Sequence, residues 1–150
     1  MTTRCAVLSA HAQPARSADL SRSLDTNILV RLLARDDPGQ IAAAEAAVSA
    51  PCLVTATVLV ETIWVLESIT QAAPGDLAGA LRLFFSLETV EPPFPEQIDW
   101  VLDRYAAGAD FADLMHLAAS RGAETFLTFD RKLSRQAGKS APVRVETLGA

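Results

Sequence analysis

Residues 124–138 read ETFLTFDRKLSRQAG, and three local signals follow one another in that span. Glu124 to Phe129 is rich in β-branched and aromatic residues, the mark of a strand. Asp130 is an acid at the position where a helix cap belongs. Arg131 to Ala137 predicts a short helix, stopped by Gly138. Working outward, the same strand–acid–helix order recurs near the start of the chain. Leu20 to Leu24 predicts a short strand, Asp25 follows it, and the next helix carries Ile28, Leu29, Leu32 and Leu33 on one face, with Thr26 or Asn27 as its cap. Asp37-Pro38 restarts a helix that runs to Val48. Cys52 to Val54 reads as a buried strand, Thr57 to Ser68 as a long helix, Gly75 to Leu87 as another, and Thr89 to Glu91 as a brief strand. Beyond the prolines at 92, 93 and 95, helices are expected over Pro95–Tyr105 and Asp110–Ser120, and a last strand over Val143–Val145. Short apolar strands alternating with helices predict an α/β protein: a short, mostly parallel central sheet flanked by helices on both faces, in three layers.

The 150 residues suit one domain, and half of them are hydrophobic, enough for a real core at this length. The domain is expected over residues 21–150. Residues 1–20 are rich in Ala, Ser, Thr and Arg, lack periodicity, and are expected to form a mobile extension. Their apolar run, Cys5 to Leu8, is too short for a signal peptide, and the stretch from Leu53 to Ile69 is interrupted by Glu61 and too short for a membrane span. Cys5 and Cys52 make no disulfide framework, so a reducing, cytoplasmic setting is the default. The formal net charge of -5 excludes a protein that coats nucleic acid by bulk charge. It leaves room for an acidic enzyme whose metal ions and local basic rim offset phosphate repulsion.

The acids carry the chemistry. Ligands of open parallel sheets bind beyond the carboxyl ends of the strands, where Asp25 and Asp130 both fall; each alone could simply cap a helix. Glu61 shares its helix face with Val58, Trp64 and Val65, so it is expected to point where the apolar residues point, and an ionised Glu there asks for a partner or a cation. Glu67 reads as solvent-facing. Asp110 is a natural N-cap, Asp113 lies in the first turn after it, and His116 reads as a packed helix histidine. Four carboxylates in one cleft repel one another, and a hard divalent cation, Mg2+ or Mn2+, removes the conflict. Cysteine and histidine spacing makes no case for zinc.

Four pieces in order carry a family resemblance: Leu24-Asp25-Thr26-Asn27-Ile28-Leu29, Glu61 in a long helix, Asp110-Phe111-Ala112-Asp113, and Leu127-Thr128-Phe129-Asp130-Arg131. The chain resembles PIN-domain ribonucleases, and most closely the VapC-type toxins of type II toxin–antitoxin systems, from about Leu24 to Val145. The resemblance implies a PIN-like three-layer fold and an acidic quartet of Asp25, Glu61, Asp113 and Asp130 that is both catalytic and metal-binding, with Asn27 and Thr128 in support. It also implies a magnesium-dependent endoribonuclease, a homodimer, a cognate antitoxin that blocks the site, and structured RNA of the tRNA or rRNA class as substrate. Hydrolysis by metal-activated water would leave a 5′-phosphate and a 3′-hydroxyl. Two departures stand out: the extension before Leu20 is long, and the strand Leu20–Leu24 is polar for a central position.

Arg31 and Arg131 are candidates for an RNA-facing rim, with Arg35, Lys132 and Arg135 behind them. Trp64 and Trp100 read as core or dimer residues rather than base-stacking platforms. The competing readings are a PIN-fold nuclease outside any toxin system, acting in RNA processing or on DNA or RNA flaps, and a catalytically silent interaction module. A receiver-like domain would want an acid beside Asp25 and a lysine after the last strand, and a HAD-type phosphatase would want an aspartate where Asn27 stands.

Overall fold

The computed structural model describes residues 22–149. Five short strands and seven helices alternate in the order β1 (Arg22–Ser23), α1 (Thr26–Ala34), α2 (Pro38–Ala47), β2 (Cys52–Leu53), α3 (Ala56–Thr70), α4 (Pro74–Phe85), β3 (Val90–Glu91), α5 (Ile98–Ala106), α6 (Phe111–Ala119), β4 (Thr125–Thr128), α7 (Arg131–Ala137) and β5 (Arg144–Thr147). Helices flank parallel strands, the α/β/α architecture expected. Every pairing is parallel. Strands β1, β2 and β3 form one ladder, β4 and β5 a second, and among the described residues no pairing joins the two. The expected strand at Leu20–Leu24 is thus seen only from Arg22, although the Leu24 N–H still bonds Leu53 O at 3.0 Å. Leu20, Ser21 and the extension over residues 1–20 lie outside the described residues.

Local chemistry sets most helix boundaries. Asp37 caps α2 by accepting from the Gly39 and Gln40 N–H groups, with Pro38 at the first helical position. Asp110 caps α6 by accepting from the Asp113 N–H at 3.0 Å. Gly138 ends α7 at φ 69 and ψ -177, a conformation open essentially to glycine alone. In α3 the buried stripe is Leu59, Thr62, Ile63 and Leu66, a spacing of three, one and three that faces one side of a helix. The Thr62 hydroxyl, fully buried, donates to Val58 O at 2.7 Å, so its burial leaves no unmet polar group.

One large core unites α1, α3, α4, α5 and α6 around Leu29, Leu59, Leu81, Val101 and Leu114, all at 0% exposure. A buried leucine contributes roughly 1.5–3 kcal/mol, so these contacts dominate the fold. A smaller cluster of Leu117, Leu133, Ala137 and Val143 fastens α7 and β5 to the end of α6, and Trp100 packs against both. Trp100 is the core residue expected. Trp64, expected in the core or at a dimer face, lies outside the core at 69% exposure. Among the described residues no helix is long and apolar enough to cross a membrane.

Candidate active site

Asp25 occupies the N-cap position of α1 in extended backbone, yet its side chain makes no capping hydrogen bond. Its carboxylate accepts instead from Asn27 Nδ2, at 3.4 Å. The capping role expected of Thr26 or Asn27 is therefore corrected on both counts. The cap position falls one residue earlier, because Asp25 O already accepts from the Ile28 and Leu29 N–H groups. The Thr26 hydroxyl, 7% exposed, turns away from its own helix and donates to Glu61 Oε2 at 2.7 Å.

Glu61 stands on a different face of α3 from the one its neighbours implied. The buried stripe passes through Leu59 and Leu66, while Glu61 and Trp64 are both exposed and Val58 and Val65 only half-buried. An α3 that is apolar nearly all round offers several faces, and packing against α1 and α6 selects just one of them. Glu61 opens into a cleft of about 830 Å³ between α3 and the α5–α6 segment, whose walls also carry Trp64, Asp110, Met115, His116 and Lys132. Glu67 is exposed as expected, but it also lines the cleft and accepts from the Tyr105 hydroxyl at 2.7 Å.

Asp113 sits half-buried in the first turn of α6. Burial pushes its carboxyl above the ordinary range, the charges of Asp110 and Asp130 push it the same way, and His116 and Lys132 pull against them. Asp130 is the N-cap of α7: its Oδ1 accepts from the Lys132 N–H at 2.7 Å, and its own N–H donates to Thr128 Oγ1 at 3.0 Å. Thr128 thus supports Asp130 through the backbone.

Two groups result. Asp25, Thr26, Asn27 and Glu61 form one, linked by hydrogen bonds and by sequence. Asp110, Asp113, Asp130, His116 and Lys132 form the other, linked by mutual charge. The cleft brings Glu61 of the first group to the same cavity as Asp110, His116 and Lys132 of the second. Among the described residues no three His, Cys, Asp or Glu side chains gather tightly enough to hold one ion. The donor set is nevertheless carboxylate oxygen throughout, the chemistry a hard divalent cation prefers, and such a cation would relieve the like-charge crowding at Asp113.

Of the expected RNA-facing cations, Arg31 is already engaged. Its Nη1 donates to both Asp36 oxygens at 2.9 and 2.8 Å, and its Nε to Gln40 at 2.9 Å. Arg35 pairs with Glu45 at 3.1 Å. Arg131 is exposed, and among the described residues its side chain donates to Gly149 O at 3.4 Å. Sequence reasoning missed Thr26 and the Tyr105–Glu67 bond. Thr26 had a signal, a hydroxyl directly after a strand-end acid, whereas the 38 residues separating Glu67 from Tyr105 left none.

The PIN domain family matches the chain over residues 23–139, from β1 through α7. No curated protein and no solved structure matches it. The matched span covers all four acids and most of the chain. The chain therefore belongs to the PIN domain family, whose members are generally metal-dependent nucleases.

Proposed function

We propose that this protein is a magnesium-dependent endoribonuclease acting as the toxin of a toxin–antitoxin pair in the cytoplasm, cutting structured RNA of the tRNA or rRNA class. The observation that carries the reading is the cleft between α3 and α6, which Glu61 lines together with Lys132 and with Asp110 and His116, the two that flank Asp113 in sequence. Asp25 and Asp113 are the proposed principal metal ligands, with Glu61 and Asp130 beside them and Mn2+ as a substitute ion. A bound divalent cation would supply an acidified water and offset charge on the phosphoryl oxygens.

The chain's own groups do the rest. Thr26 fixes one oxygen of Glu61 and leaves the other to orient the attacking water. Asn27 holds the Asp25 carboxylate. Lys132, which lines the same cleft as Glu61, offers a cation to a phosphate oxygen. The apolar walls beside these acids suit an antitoxin segment that carries both an apolar side chain and a cation. Trp64 and Ile69 on α3, Leu83 on α4 and Leu87 just after it are exposed, apolar surface that a homodimer would cover.

The test is magnesium-dependent cleavage of total RNA by the purified protein and by Asp25→Ala and Asp113→Ala. Both variants should lose cleavage, and full activity in either would overturn the assignment. Induced expression should arrest growth and create new RNA ends at one or a few positions. Cleavage in vitro without growth arrest would favour a processing nuclease, and no cleavage with either Mg2+ or Mn2+ a silent interaction module.

A further inference from the structure

Positive charge is distributed unevenly over the fold. Arg31, Arg35 and Arg82 are each held by carboxylates, from Asp36, from Glu45, and from Asp99 with Asp103. Among the described residues Arg104 and Arg121 also meet no acid, but after Asp130 such cations gather in one stretch. Arg131, Lys132, Arg135, Lys139 and Arg144 are all exposed, and among the described residues only Arg144 meets an acid, Glu146 at a loose 3.9 Å. Arg131 and Arg135 stand one turn apart on the outer face of α7. Where α7 ends, a second groove of about 560 Å³ opens, with Lys139, Arg144 and Ser134 over a floor of Ala141, Val143 and Val145. No carboxylate lines it. Arg104 backs the groove from α5: its Nη2 donates to Ser140 Oγ at 3.4 Å, and its guanidinium lies against Gly138, where any Cβ would collide with it.

We propose that this groove binds backbone phosphates of the RNA, so that a substrate strand runs from the acids near Asp130 along the outer face of α7 to Lys139 and Arg144. The proposal rests on the nuclease reading and extends it to the path of the strand. Seven helical residues span roughly 10 Å, about three nucleotides of stacked strand at roughly 3.4 Å each. Arg131 and Arg135 are the steps between the two ends. Phosphates fit better than an acidic protein segment, because the cations follow a line and the groove exposes no aromatic anchor.

The measurement is fluorescence anisotropy of a labelled single-stranded RNA on the full chain, in EDTA to prevent cleavage, across a series of salt concentrations. The Lys139→Gln/Arg144→Gln variant is compared with wild type and with Arg82→Gln, a cation on α4 already paired with Asp99 and Asp103. Each lost phosphate contact on a single strand flattens the log–log salt slope by about 0.7, so the double variant should lose about 1.4 and bind about tenfold more weakly at low salt. A short oligonucleotide spanning only the acids should bind all three proteins alike. A slope in the double variant equal to that of Arg82→Gln, with circular dichroism showing both folded, would overturn the proposal. So would competition by poly-glutamate as strong as by RNA, which would assign the groove to an acidic protein. If the slope falls as expected while no RNA is cut in Mg2+, the groove stands and the nuclease reading fails.

Discussion

Tyr105 is the only tyrosine of the chain, which makes one wall of the cleft directly measurable. Its ring is 2% exposed, meets Phe111 edge-on at 5.1 Å, and its hydroxyl donates to Glu67 Oε1 at 2.7 Å. Burial, the hydrogen bond and the negative charges of Glu67 and Asp110 all hold the phenolic proton far above its ordinary range. The unfolded chain therefore releases that proton first, near pH 10, while the folded chain keeps it. Stability from this group is full below that pH and declines above it, by about 1.4 kcal/mol at pH 11. Urea unfolding followed by tryptophan fluorescence at about pH 8 and about pH 11 should show a loss about 1.4 kcal/mol larger in wild type than in Tyr105→Phe, because the buried Cys52 thiol, also pushed up, contributes to both alike. At neutral pH the variant should itself be less stable by about 1.5 kcal/mol, the low end for a hydrogen bond to a charged group, because exposed Glu67 can be rehydrated. Phenolate absorbance should rise only when the fold opens. Phenolate forming in the folded protein near pH 10 would refute the geometry of this wall.

Two further substitutions probe the site and its frame. Thr26→Val keeps shape but removes the donor to Glu61, and should lower kcat about tenfold with little change in melting temperature, while Thr26→Ser restores the rate; an unchanged kcat would show that the bond does not orient Glu61. Gly138→Ala forces a side chain into positive-φ backbone and should cost about 1–3 kcal/mol in denaturant unfolding, a loss that Arg104→Ala in the same chain should leave unchanged, because the guanidinium beside Gly138 is the end of a flexible side chain that can swing aside.

Elements governed by neighbours in sequence were the legible ones. Asp37 with Pro38, Asp110 with Asp113, and Gly138 after Ala137 each act within four residues, and each boundary falls where those residues predict. The face of α3 was not legible in the same way. Val58, Leu59, Val60, Ile63, Trp64, Val65 and Leu66 leave no polar side broad enough to mark the outside, so periodicity placed Trp64 and Glu61 with the buried stripe. Only the partners of α3 decide, and they come from α1 and α6, distant in the chain. The division of the parallel strands into ladders of three and two was also hidden, because residue patterns fix which segments are extended but not which edges meet.

The candidate acids were legible as residues, but what each is doing locally was not. Asp25 and Asp130 read identically, each an acid between strand and helix, yet Asp130 caps its helix and Asp25 does not. Each of three acids has one oxygen tethered: Asp25 by Asn27, Glu61 by Thr26, Asp130 by the Lys132 N–H. Among the described residues the second oxygen of each has no hydrogen-bond partner. A carboxylate held by one oxygen is fixed in orientation at little entropic cost and still has lone pairs to offer. Asp113 is the exception, with no tether and the charges of two other acids upon it. A crowded acid in that position is destabilising unless opposite charge approaches, and only His116 and Lys132, both at the cleft, pull against the crowding. On the proposed nuclease reading, the tethered acids orient the ligand and the crowded one draws it in.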